Sequence, residues 1–257
     1  MARVAFNIVT YNAAASLDAC LTSVVQQDYR DFDVLVVDNA SSDGTRDLLR
    51  TWQSRGVRVI YNDRNEYYAR AHNQAIYESQ SEFVLTLNPD VLLRRDYLTR
   101  VVQAFDLLPD VGAVNGKLLH LPLRQFHLDV LDRPEDPRAR IDGAGLVMTR
   151  SRRPKLLGNR RRNVAMSQEP RYIFGVDGAC ATYRRAMLED IALDGEYFDE
   201  DFVIYREDVD VAWRAQIRGW SSLVVPSAVG YHARGFEPGQ RRDVIAAELK
   251  RHSVKNG

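Results

Sequence analysis

The sequence predicts an α/β chain built on a mostly parallel central sheet flanked by helices. Strand-like apolar runs alternate with helical ones through the first half, which implies right-handed crossovers between parallel strands. Four of these runs end in polar residues: Thr10-Tyr11-Asn12, Asp38-Asn39, Asn62-Asp63 and Asn88-Pro89-Asp90. Parallel sheets bind ligands beyond the carboxyl ends of their strands, so four polar ends together predict a polar ligand site along one edge. At 257 residues the chain suits one large domain, and neither a Gly/Ser-rich linker nor an internal repeat divides it.

Arg3–Val9 is β-rich and predicts the first strand. Ser16 is placed to cap a helix whose apolar residues Leu17, Cys20, Leu21 and Val24 share one face. Phe32–Val37 is an apolar strand with Asp33 as its only charge. The turn cluster Asp38–Gly44 follows, with Asp43 or Ser42 available to cap a helix over Thr45–Trp52. Val57–Tyr61 predicts a third strand, Glu66–Ser79 a helix and Phe83–Leu87 a fourth strand. From Leu118 to Glu169 prolines 122, 134, 137 and 154 break the pattern, and Pro170 follows. Seven basic residues gather between Arg150 and Arg162 there. Pattern returns at Tyr172–Thr182, then as a helix over Arg185–Ile191, an acidic strip from Phe198 to Asp210 entering a helix, and a short strand at Leu223–Val225. Arg241–Arg251 has the spacing of an amphipathic helix that packs on the domain or lies on a membrane.

Lysine plus arginine equals aspartate plus glutamate, 35 each, so bulk attraction to nucleic acid is not expected. Cys20 and Cys180 lack metal-type spacing, which favours a reducing compartment. The N-terminus has no signal-peptide core and no run approaches a membrane span. Together these predict a cytoplasmic chain.

Asp38 at a strand end can meet a nucleobase edge or ribose hydroxyls, with Ser41 orienting it; the plainer reading is an Asx turn. Arg70 can reach a phosphate and Asn65 a base or ribose; the plainer reading is a solvated helix. Asp90 has the oxygen chemistry of a divalent cation that carries a diphosphate, although Asn-Pro-Asp also makes an ordinary turn. His232 can add an imidazole ligand. The sharpest anomaly is Glu207, Asp208 and Asp210, three carboxylates in four residues beside apolar runs. Crowding of this kind raises a carboxyl pKa toward that of a general base, while the helix dipole partly offsets it. For the basic cluster, a solvated loop competes with contact to anionic headgroups or a phosphorylated acceptor.

These motifs, in this order, resemble the inverting nucleotide-sugar glycosyltransferases of family 2. The likeness runs from VTYNAAASLDACLTSVVQQDYRDFDVLVVDNASSDGT to GYHARG. Its most specific part is VDGACATYRRAMLEDIALDGEYFDEDFVIYREDVDVAWRAQIRGW, which is similar to the bacterial rhamnosyltransferase-like branch. The resemblance implies a GT-A fold, Rossmann-like, with residues 1–117 binding the nucleotide sugar, 118–240 serving the acceptor and catalysis, and 241–257 a C-terminal helix that relatives often extend. It implies that Thr10, Tyr11, Asn12, Asp38, Asn39 and Arg70 line the nucleotide pocket, with Asn65 in support. Asn88 and Asp90 stand at the metal motif, where Asn88 replaces its first acid, and His232 completes a Mn²⁺ or Mg²⁺ site. Asp208 matches the catalytic base, and Gly178 and Ala179 the acceptor pocket. Glu207 and Asp210 then orient the acceptor or tune the base. Tyr67 departs from a glycine that the family often keeps. The implied donor is dTDP-L-rhamnose, with a UDP-hexose as alternative, and the implied acceptor a cell-surface glycan or polyprenyl-linked sugar. Contact with the inner membrane face would follow. A non-catalytic sugar- or lipid-binding module is the reading from another class. A dehydrogenase would want G-x-G-x-x-G where this chain has TYNAAAS.

Overall fold

The computed structural model describes residues 1–203 and 205–234. The first half alternates as the pattern requires: β1 (Val4–Thr10), α1 (Leu17–Val25), β2 (Phe32–Asn39), α2 (Thr45–Gln53), β3 (Arg58–Asn62), α3 (Tyr67–Tyr77) and β4 (Phe83–Leu87). Next come β5 (Val91–Leu93), α4 (Tyr97–Leu107) and β6 (Val111–His120). The elaborated part holds β7 (Ile141–Gly143), β8 (Leu146–Met148), β9 (Pro154–Leu156) and β10 (Arg171–Ile173). The chain then forms β11 (Cys180–Arg184), α5 (Arg185–Ile191), α6 (Glu207–Ile217) and β12 (Ser221–His232).

The main sheet runs β10-β12-β6-β11-β4-β1-β2-β3, with β5 added to β12 and β7 to β6. β1 pairs in parallel with β2 and β4, and β2 with β3. β11 enters antiparallel between β4 and β6, while β6 and β12 are again parallel. Leu17, Cys20, Leu21 and Val24 of α1 are fully buried, each Leu or Val contributing about 1.5–3 kcal/mol by leaving water. Phe6, Leu85 and Phe105 belong to the same core, where Phe83 stacks on Phe105 at 4.5 Å.

Several local expectations change. Ser16 does not cap α1 through its side chain; its hydroxyl donates back to the Ala13 carbonyl at 3.4 Å. Neither Asp43 nor Ser42 is the N-cap of α2, which is Gly44; Asp43 closes an Asx-type turn instead, accepting from the Thr45 N–H at 2.9 Å. Tyr172–Thr182 divides into β10 and β11, because Phe174–Ala179 forms a connection instead of a strand. The last strand is far longer than Leu223–Val225. Pro226 cannot donate to a ladder, and the register shift between Val224 and Val229 absorbs it. The basic segment is no free loop: it carries the β8–β9 hairpin, and Arg160 and Arg161 bond to Ile141 and Gly158. The division after residue 117 falls inside β6. Arg241–Arg251 lies outside the described residues. Among the described residues no helix is long and apolar enough to cross a membrane.

Candidate active site

Register places the ends of β1 and β2 together, with Thr10 opposite Asp38. Both are buried, and Thr10 Oγ1 and Asp38 Oδ1 have no hydrogen-bond partner. Orphaned buried oxygens are costly, so a ligand that donates to them has a physical reason to bind. The other Asp38 oxygen accepts from Arg46 Nε at 2.7 Å and the Ser41 N–H at 3.3 Å. Ser41 therefore orients Asp38 through its backbone, while its hydroxyl accepts from the Asn12 N–H at 2.9 Å. Asn12 uses its own side chain to accept from Ser42 N–H at 2.8 Å. Tyr11 remains exposed, its ring open to stacking.

Asn39 is occupied structurally: it donates to the Tyr67 carbonyl at 3.0 Å and accepts from Asn62 at 2.9 Å. Asn65 accepts from the Tyr67 N–H at 2.9 Å and so closes the turn that leads into α3. Asn12, Ala40 and Tyr67 all take left-handed backbone, with φ of 51°, 59° and 58°. Such strain collects at ligand-holding loops. The φ of Tyr67 also explains why glycine suits that position. Arg70 stands half exposed between Glu66 and Glu200, at 3.5 and 3.7 Å.

Backbone pairing, not sequence proximity, joins Asp90 to His232. Val91 pairs with His232 across β5 and β12, and the Ala233 N–H donates to the Asp90 carbonyl at 2.9 Å. The side chains then meet, Asp90 Oδ1 lying 3.2 Å from His232 Nε2. On the ring's far side Asp142 Oδ2 holds Nδ1 at 2.8 Å, and Arg234 Nε donates to Asp142 Oδ1 at 2.5 Å. Burial alone would lower the His232 pKa, but hydrogen bonds to Asp142 and Asp90 outweigh it and raise it to about 10. Protonated His232 and Arg234 thus balance Asp90 and Asp142, so a divalent cation would enter by displacing the proton on Nε2.

A divalent cation fits these donors. The carboxylate of Asp142 fixes the imidazole so that Nε2 faces Asp90, a familiar metal-supporting arrangement, and an O/N donor pair suits Mn²⁺ better than Mg²⁺. No cluster of three His, Cys, Asp or Glu ligands occurs among the described residues. The remaining coordination would come from water and diphosphate oxygens, as such ions commonly accept. Asn88 supplies the turn, its carbonyl accepting from the Val91 N–H at 3.3 Å.

Asp208 is the second residue of α6 and accepts from the Gly178 N–H at 3.5 Å and the Val209 N–H at 2.8 Å. Tyr68 steadies that loop by donating to the Gly178 carbonyl at 2.8 Å. A Cβ on Gly178 would lie 2.9 Å from the Tyr68 hydroxyl, so glycine is required for this approach. Burial, then the charge of Asp177, pushes the Asp208 pKa up to about 6. Burial, then Asp208, pushes Glu207 up to about 8, and Glu207 Oε2 is unpartnered. Asp210 turns away into a 2.7 Å salt bridge with Arg214, which also clamps the carbonyls of Ile191 and Tyr197. Ala179 is buried, its N–H donating to Asp177 Oδ1 at 3.2 Å.

Sequence reasoning missed Asp142, Asp177 and Arg234. Asp177 is buried with Oδ2 unpartnered, and burial raises its pKa. Its place beside Gly178 in VDGA was the available signal. Asp142 carried none, since only the β6–β7 pairing brings it to His232.

Glu207 gives a stability prediction. With its folded pKa near 8 against an ordinary 4.5, its ionisation opposes folding. The favourable contribution is complete below about pH 4.5 and is lost as pH rises through 8. At pH 7 the cost is on the order of 3 kcal/mol. Glu207→Gln is therefore expected to raise the melting temperature by about 5–10 °C at pH 8 and by much less at pH 5. An equal difference at both pH values would remove this explanation.

The sequence model described as glycosyl transferase family 2 matches residues 6–192. The N-acetylglucosaminyl-diphospho-decaprenol L-rhamnosyltransferase of Mycobacterium tuberculosis is 27% identical over 243 residues, 90% of this chain and 76% of that protein. The poly-β-1,6-N-acetyl-D-glucosamine synthase of Staphylococcus aureus is 22% identical over 88% of this chain, which spans 48% of that protein. Among solved structures, a mannosyltransferase from Pyrobaculum calidifontis with GDP-Man and Mn²⁺ superposes with a TM-score of 0.63 at 24% identity. That match covers 91% of this chain and 59% of the other. The S. aureus TarS fragment 1–349 with UDP-GlcNAc gives 0.61 at 19% identity over 92% of this chain and 60% of that one. These neighbours share the GT-A fold, a mixed α/β architecture with a mostly parallel central sheet.

Proposed function

The chain belongs to glycosyl transferase family 2, and on that premise we propose that it transfers L-rhamnose from dTDP-L-rhamnose to a hydroxyl of a lipid-diphosphate-linked sugar. The observation that carries the reading is the joining of two distant constellations through residues 177–179, where the Asn88 N–H donates to the Ala179 carbonyl at 2.9 Å and the Gly178 N–H to Asp208 at 3.5 Å. Asp90 and His232 form the cation corner, and Asp208 the raised-pKa carboxylate beside Gly178. Similarity to the mycobacterial rhamnosyltransferase supports the choice of sugar and of a diphospholipid acceptor.

In this mechanism Tyr11 stacks on the base while Thr10 Oγ1 and Asp38 Oδ1 meet its polar edge or the ribose. Arg70 approaches a phosphate from α3. A divalent ion held by Asp90 and His232 would neutralise charge on the departing diphosphate. Asp208 accepts the acceptor's hydroxyl proton as the new oxygen–C1 bond forms and the C1–phosphate oxygen bond breaks. Attack opposite the leaving group inverts the anomeric carbon and needs no covalent enzyme intermediate. Gly178 and the neighbouring Ala179 form the floor beneath the acceptor, and Asp177, not the protonated Glu207, acts on Asp208 by charge. A lipid-borne acceptor would bring the chain to the inner membrane face as a peripheral protein.

The donor is tested by thermal shift with dTDP-L-rhamnose, UDP-GlcNAc and GDP-mannose, each with and without Mn²⁺. The largest stabilisation is expected with dTDP-L-rhamnose, and only when Mn²⁺ is present. A larger metal-dependent shift with another nucleotide sugar would replace the donor. Binding without any acceptor-dependent release of nucleoside diphosphate would instead favour a non-catalytic sugar-binding module.

A further inference from the structure

Beside Asp142 lies a cavity of about 410 Å³. His120, Arg140, Asp142, Asn159, Arg160 and Arg234 line it. Its walls are built, not loose. The His120 N–H donates to the Arg140 carbonyl at 2.8 Å, and the Arg160 N–H to the Ile141 carbonyl at 2.9 Å. Asn159 donates to the Asp142 carbonyl at 2.6 Å. Gly158 sits against Ile141, where a Cβ would lie 3.0 Å from Ile141 Cγ2. The tight turn carrying Arg160 is thus pinned to β7.

The charges do not balance. Arg234 is paired with Asp142, which also holds His232. No carboxylate lies within ion-pair distance of Arg140 or Arg160 among the described residues, so two guanidinium groups face the cavity without a counter-charge. Arginine presents a planar fork of donors suited to phosphate oxygens. The nucleoside edge at β1 and β2 and the cavity at β6 and β7 are separated in the sheet by β11 and β4.

We infer that this cavity binds the diphosphate of the acceptor, separately from the donor's diphosphate, with Arg140 and Arg160 as its principal contacts. The inference rests on the proposed transfer to a lipid-diphosphate-linked sugar and assigns that substrate a place. Asp142 then serves two neighbours, orienting His232 with one oxygen and fixing Arg234 at the cavity mouth with the other. Asp177 Oδ2 beside Gly143 connects this wall to the Asp208 loop, since an added Cβ on Gly143 would lie 2.4 Å from it.

The test uses R140Q/R160Q, whose substitutions fall on exposed side chains, with thermal melting as a check of folding. Inorganic pyrophosphate is titrated calorimetrically in metal-free buffer. The double variant is expected to bind it about ten- to a hundredfold more weakly than wild type. Nucleoside diphosphate with Mn²⁺ should bind both proteins alike, and KM for the lipid-linked acceptor should rise while kcat changes little. Unchanged pyrophosphate affinity overturns the site. Parallel loss of nucleoside diphosphate binding overturns it too, by placing the arginines on the donor. If wild type turns over no nucleotide sugar, the transfer reading fails while the pyrophosphate titration still decides the cavity.

Discussion

Asp208→Asn is expected to cut sugar transfer about a hundred- to ten-thousandfold while donor affinity measured by calorimetry stays within a few-fold of wild type. The substitution keeps the shape of the carboxylate and its place beside Gly178, so the loss isolates proton acceptance. The pH dependence follows from the same group. A general base works deprotonated, and the Asp208 pKa is near 6. Wild-type kcat/KM should therefore be flat above about pH 7 and fall tenfold per pH unit below 6. The residual rate of the variant should lack that acid limb. Loss of donor binding, or turnover close to wild type, would take the base role from Asp208.

Asp90→Asn carries the second large effect. Asparagine can still hydrogen-bond His232 but removes the carboxylate that would face the cation. Mn²⁺ affinity, read by electron paramagnetic resonance without substrates, is expected to fall at least about a hundredfold. Mn²⁺-dependent donor binding should disappear with it. Asp142→Asn should have a smaller effect, about ten- to a hundredfold, because it frees the imidazole without removing a ligand. Wild-type Mn²⁺ affinity in Asp90→Asn would place the cation elsewhere.

The parallel half was legible because its signals are local. Phe83–Leu87 and Arg185–Ile191 match to the residue, since a continuous apolar run and a one-face spacing each report their own element. The segment from Leu92 to Lys117 was not read. Its short β5 and almost fully buried β6 lack alternation because both faces of the sheet are covered there, whereas α4 carries a readable one-face spacing at Leu98, Val101, Val102 and Phe105. Site residues divide in the same way. Asp38 and Asp90 announce themselves at strand ends, and Asp208 in an acid-rich helix start. Asp210 looked equal to its neighbours, yet helical spacing brings Arg214 to it and commits it to an ion pair. Asn39 and Asn65 looked like ligand groups but bond to Asn62 and Tyr67 and so hold the loops. Asp142 could not be found from sequence, because its partner His232 is 90 residues away and meets it only through sheet pairing.

The proposed chemistry is a single displacement driven by Asp208 from the face opposite the departing diphosphate. It is tested most directly by the anomeric configuration of the glycoside formed from the nucleotide sugar and a lipid-diphosphate-linked acceptor, read from the one-bond C–H coupling in its NMR spectrum. A product inverted relative to the donor is expected. A product of retained configuration would contradict it.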